Sequence, residues 1–111
     1  MQLPDDPILR ELVPEFIVSW RADLSTTLPA LVATQDSNEL YRFGHTLKGS
    51  ARQFGFAELA DCGAEIMELA RSTQWDALDQ ITQRISQYLA DIEQLARSHN
   101  LPLPQNSATN M

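Results

Sequence analysis

Asp36-Ser37-Asn38-Glu39-Leu40-Tyr41-Arg42-Phe43-Gly44-His45-Thr46-Leu47-Lys48-Gly49-Ser50-Ala51-Arg52-Gln53-Phe54-Gly55 is the stretch on which the reading of the fold turns. Asp36 is a favourable N-cap, and Glu39 three residues later makes a capping-box pair with it. Gly55 is suited to a helix stop. At about 100° per residue, Leu40, Phe43, Leu47, Ala51 and Phe54 fall between about 160° and 240° from His45. The spacing predicts a helix over 36–54 with a single apolar stripe and with His45 on the opposite, outer face.

The flanking sequence carries the same helical period. A proline-flanked piece near Asp5 to Leu12 predicts a short opening helix, with Pro7 suited to its first turn. From about Pro14, the residues Phe16, Ile17, Trp20, Leu24, Leu28 and Leu31 recur at three- and four-residue steps. Pro29 lies inside that pattern and predicts a kink or a break. Residues 57–72 carry Leu59, Ala60, Gly63, Ile66, Met67 and Ala70 on one side. Residues 75–98 carry Leu78, Ile81, Ile85, Leu89, Ile92 and Leu95, with Thr73 and Asp76 as a second capping pair. Connections of two to four residues force neighbouring helices antiparallel. The expectation is an all-α, up-down-up-down four-helix bundle with a short extra N-terminal helix. One domain is expected over 1–100 and a flexible tail over 101–111.

Composition removes several function classes. The chain has 111 residues, 43% of them apolar and 21% charged, which is ordinary for one globular domain. Fifteen acids against eight bases give a net charge of −7. Such a chain lacks the basic footprint of a nucleic-acid binder and is repelled by anionic membrane. Cys62 is the only cysteine, so no internal disulfide or Cys-rich zinc site can form. It reads as a small hydrophobe. The amino terminus shows no secretory signal, and a cytoplasmic location is the expectation. The acids Glu58, Asp61, Glu65 and Glu68 step along one helix as a solvated face, since no histidine joins them. His99 ends the last helix, where a cation complements the dipole.

The outer face of the 36–54 helix departs from the rest of the chain. Tyr41, Lys48, Gly49 and Arg52 lie within about 60° of His45. No acid occurs between Glu39 and Glu58, whereas Arg42, Lys48 and Arg52 all do, and Lys48 is the only lysine. Gly44 and Gly49 bracket the histidine, although a mid-helix glycine costs about 1 kcal/mol relative to alanine. The pattern reads as an accessible nucleophile set in a surface that tolerates an anion. A neutral imidazole is a competent nucleophile near pH 7, and phosphoryl transfer depends mainly on positioning and charge neutralisation.

His45-Thr46-Leu47-Lys48-Gly49-Ser50-Ala51, followed by Gly55, resembles the signature of histidine-containing phosphotransfer (HPt) domains: His-x-x-Lys-Gly and a glycine ten residues after the histidine. The likeness runs from about Leu40 to Leu95. It implies a phosphocarrier that takes a phosphoryl group on His45 Nε2 from one receiver-domain aspartate and passes it to another. By the same resemblance, Lys48 offsets the phosphoryl charge, Gly49 leaves room for receiver loops, and Arg71 matches a position often basic near the site. Arg52 is a secondary basic contact. Docking is expected on Tyr41, Arg42 and Met67, with Ala57 and Cys62 adding contact area. The chain departs from the family at Met67, where many members place a glutamine that holds the imidazole.

The partners implied are response-regulator receivers and a sensor or hybrid histidine kinase, with the chain itself expected to be a monomer. No cofactor of its own is expected; the Mg²⁺ belongs to the receiver. No Gly-rich phosphate loop or kinase motif is present, so autophosphorylation is not expected. The competing reading is a non-catalytic receiver-binding module, for which a change at His45 would leave function intact. A carboxylate–histidine metal enzyme would need Glu-x-x-His on inward faces, and neither histidine has it.

Overall fold

The computed structural model describes residues 1–104, which form helices and connecting turns with no strand among them. The order is α1 (Pro7–Ala22), a π-helical turn (Asp23–Thr27), α2 (Leu28–Thr34), α3 (Ser37–Phe54), α4 (Ala57–Ser72), a 3₁₀ turn (Trp75–Ala77) and α5 (Leu78–Ser98). α1, the π turn and α2 follow one another without a gap, so they act as one continuous helical element in a four-helix bundle.

The opening piece and the helix expected from Pro14 are a single element, so no separate short helix precedes it. Asp6 starts it: its carboxylate accepts from Ile8 N at 2.8 Å, with Pro7 at the first helical position. Pro14 then lies inside α1 and forfeits one backbone bond. Burial of Val13, Pro14, Phe16, Ile17 and Trp20 outweighs that loss. The pattern does not break at Pro29, which stands in the first turn of α2 directly after the π-helical turn, where Leu28 N–H reaches back five residues to Asp23 O.

The start and stop of α3 are as expected. Asp36 accepts from Glu39 N at 3.1 Å, and Gly55 takes the left-handed conformation at φ 81°. Phe56 N then bonds Ala51 O at 2.8 Å, closing the helix end. The capping box is made in one direction only, since Asp36 N donates to Leu31 O and the Glu39 carboxylate turns to Arg42. The Thr73–Asp76 pair does not cap α5. Thr73 is the left-handed residue that ends α4, at φ 54°, and its hydroxyl donates to Ser72 O.

Behind α3 sits an aromatic cluster. The Phe16 ring lies 4.7 Å from Phe54 and 5.5 Å from Phe56, and Trp20 meets Phe43 edge-on at 5.6 Å. Phe56, in the α3–α4 connection, is fully buried. At the far end Leu101 N bonds Ala96 O at 2.8 Å, and Leu101 and Leu103 pack half-buried against the core. Residues 105–111 of the expected tail lie outside the described residues. No helix among the described residues is long and apolar enough to cross a membrane.

Candidate functional site

The site is built on the seam between α3 and α4. A Cβ added to Gly63 would lie 2.6 Å from Lys48 N and 2.7 Å from Gly44 O. One added to Gly44 would lie 2.6 Å from Gly63 O and 2.9 Å from Met67 N. Backbone therefore meets backbone here, and no side chain fits between. Gly44 consequently belongs to this packing and does not clear space around His45. The signal was readable: about 260° from His45, Gly44 borders the core stripe, and Gly63 lies on the core side of the next helix.

The seam leaves the opposite side of α3 open. Leu40, Phe43, Leu47, Ala51 and Phe54 are buried, and His45 is exposed. Gly49, one turn on, is exposed, and a Cβ placed there would meet no atom within 4 Å. Lys48 is half-buried, because its backbone lies in the seam, while Arg52 is exposed. Side chains of a helix lean toward its N-terminus, so Lys48 leans back toward His45. No side-chain hydrogen bond holds the His45 ring among the described residues. The other histidine differs: His99 Nδ1 lies 3.0 Å from Leu95 O.

The remaining expected residues divide between the two flanks. On the α4 side, Met67 is half-buried with its backbone against Gly44, and as a thioether it donates no hydrogen bond to the imidazole. Arg71 extends from the last turn of α4 to Tyr41 on α3, its Nη2 donating to the tyrosine oxygen at 3.1 Å. On the other side, exposed Arg42 pairs with Glu39 at 3.5 Å and, with Thr46, borders a groove lined by Trp20, Thr27 and Leu31. Ala57 is exposed, but Cys62 is fully buried and supplies no docking area. Burial pushes its thiol pKa up, as expected for a packed, unreactive cysteine.

Charge is divided in the same way. Two of the α4 acids pair with arginines: Glu65 binds Arg84 on α5 at 2.8 Å, and Glu68 lies 3.7 Å from Arg71. No group of three His, Cys, Asp or Glu side chains among the described residues converges on a metal position. The arrangement is an accessible imidazole on a rigid helix, with a cation one turn away and empty space beside it. It can accept a group delivered by a docked partner. The family model of the Hpt domain matches residues 11–97, from within α1 to the last turn of α5. No curated protein and no solved structure matches the chain.

Proposed function

The chain belongs to the Hpt domain family, whose members carry out histidine phosphotransfer in two-component signalling; from that premise we propose that it relays a phosphoryl group between receiver-domain aspartates through a phosphohistidine at His45. The observation that carries this reading is the position of His45: exposed at mid-α3, one turn from the open Gly49 and beside Lys48.

In the forward step, the Nε2 lone pair of His45 attacks the phosphorus of an aspartyl phosphate on a docked receiver. The N–P bond forms and the acyl O–P bond breaks. The aspartate leaves as a carboxylate, and Nδ1 keeps its proton. The second transfer is the reverse reaction with a different aspartate. Mg²⁺ held by the receiver supplies charge neutralisation on the phosphoryl oxygens from its side.

This chain contributes position and charge. The glycine seam and the aromatic cluster fix α3, so the imidazole is presented at a constant height above the bundle. Lys48 faces the phosphoryl oxygens as a point charge. Gly49 leaves the approach clear for receiver loops. Arg52 and Arg42 extend the positive surface toward the acidic pocket of a receiver, and Met67 adds apolar contact at the rim. The carrier acts without nucleotide, and its kinase and receiver partners provide phosphate in and phosphate out.

The test is transfer from a phosphorylated receiver domain, with His45→Gln in parallel. Wild type is expected to take acid-labile, alkali-stable label, and the variant none. If a panel of receivers binds the protein and none labels it, the reading as a receiver-binding module without phosphate replaces this one.

A further inference from the structure

Arg71 is far from His45 in sequence, but its side chain is held in a defined place. Its Nη2 lies 3.1 Å from the Tyr41 hydroxyl, and its guanidinium carbon lies 5.2 Å from the centroid of the Tyr41 ring. Glu68, one turn earlier on α4, adds a third contact at 3.7 Å. The Tyr41 ring is itself half-buried against the core, so the anchor does not move with the solvent. An arginine with 63% of its side chain exposed would otherwise sample many rotamers.

The register of the seam decides where this anchored guanidinium sits. α3 and α4 run antiparallel. Gly63 packs on Lys48 and Gly44, Met67 on Gly44, and Arg71 on Tyr41. Tyr41 is four residues before His45 and on the same face, which places it one helical turn below the imidazole. Because helical side chains lean toward the N-terminus, the His45 ring leans toward Tyr41 and away from Gly49. Lys48 approaches the ring from the opposite side. A phosphoryl group on His45 is thus flanked by a lysine above and an arginine below.

We propose that Tyr41 is a positioning residue for phosphotransfer: its ring and hydroxyl hold Arg71 at the level where the guanidinium meets the phosphoryl oxygens on His45. This deepens the reading of His45 as the phosphate carrier and rests on it. The tyrosine oxygen accepts from Arg71, so the contact leaves the guanidinium charge in place. A planar fork held on an aromatic face is pre-organised for phosphate, and a free arginine or a lysine is not. The device also suits a chain with Met67 where a ring-holding glutamine often stands, because it orients the anion and leaves the imidazole alone.

The test uses two phosphoryl donors: a phosphorylated receiver domain, and phosphoramidate, which needs no docking surface. Tyr41→Phe keeps the packed ring and removes only the hydroxyl, so the fold is retained and thermal unfolding is expected to be unchanged. With phosphoramidate, Tyr41→Phe and Arg71→Gln are each expected to slow labelling of His45 about fivefold. The double variant should be no slower than Arg71→Gln alone, because the hydroxyl acts only through the guanidinium. Tyr41→Phe at the wild-type rate, or losses that multiply in the double variant, overturns the proposal. So does a loss seen with the receiver and absent with phosphoramidate, which makes Tyr41 a docking contact. If neither donor labels wild type, the carrier reading fails, and this inference fails with it.

Discussion

α3 is joined to the bundle in two different ways. Toward α4 the joint is backbone on backbone, with Gly44 and Gly63 leaving no room for a single methyl group. Toward α1 the joint is made of side chains: Phe16 among Phe54 and Phe56, and Trp20 against Phe43. The α1–α5 contact extends this side-chain joint through Arg21 and Glu93, 2.7 Å apart. The glycine seam is therefore intolerant of addition and the aromatic joint intolerant of removal. The difference has a functional consequence. The seam sets the register in which Met67 meets Gly44 and Arg71 meets Tyr41, whereas the aromatic joint only fixes α3 from behind.

The aromatic side is expected to give the largest stability effect. Phe16→Ala removes a 6%-exposed ring from contact with three others and leaves a cavity, at a cost of about 4 kcal/mol. Urea unfolding should show that loss as a lower midpoint, while phosphotransfer by the fraction still folded stays near the wild-type rate. A large fall in rate with the fold intact would show that the two joints do not divide as described.

The seam is the next in size, and here the sign depends on which glycine is changed. Gly63→Ala drives a methyl into the Lys48 and Gly44 backbone, and a net loss of about 2 kcal/mol is expected after the gain in helix propensity. Gly49→Ala is the same substitution on the same hairpin, into open space, and is expected to gain up to about 1 kcal/mol. Paired denaturation curves check both. Equal shifts of the same sign would mean that the glycines share one cause and that the seam is not specially close.

What was legible in the sequence follows the same division. The cap at Asp36, the stop at Gly55 and the apolar stripe of α3 are local signals. Each depends on residues within one or two turns, and each is realised. Periodicity alone puts His45, Lys48, Gly49 and Arg52 on one outer face; His45, Gly49 and Arg52 are exposed and Lys48 is half-buried. Contacts between helices were not legible in the same way. Gly44 brackets His45 in sequence and borders the core stripe on the wheel, but the closeness of its approach to Gly63 is seen only in the fold. Pro14 looked like a helix start because a proline inside a helix is costly; burial of its neighbours overrode that cost. Thr73 resembles a cap, but the close of α4 takes it as the left-handed residue, and its hydroxyl turns to Ser72 O and not to α5. Phe56 carries no periodicity at all, being in a connection, yet it is fully buried. The Arg71–Tyr41 contact joins residues 30 apart, beyond any local pattern.

The smallest expected effect is at the α1–α5 ion pair, and its pH dependence distinguishes it from the other two. Hydrogen bonds from Arg97 and Arg21 hold the Glu93 carboxyl below the usual glutamate range. A carboxyl with a depressed folded pKa binds its proton more readily in the unfolded chain. Its contribution is therefore fully present above the ordinary value of about 4.3 and is lost as pH falls through the folded value. Arg21 is 39% exposed, so solvent screening limits the contribution to under about 1 kcal/mol. Glu93→Gln should lower the urea midpoint by that amount at pH 7, and the gap to wild type should close as pH falls below about 4. Seam variants carry no such dependence, because Gly63→Ala adds a steric clash between uncharged groups. A gap for Glu93→Gln that persists unchanged into acid would mean that Glu93 holds α1 by packing, and the contrast between a charged joint and a steric one would disappear.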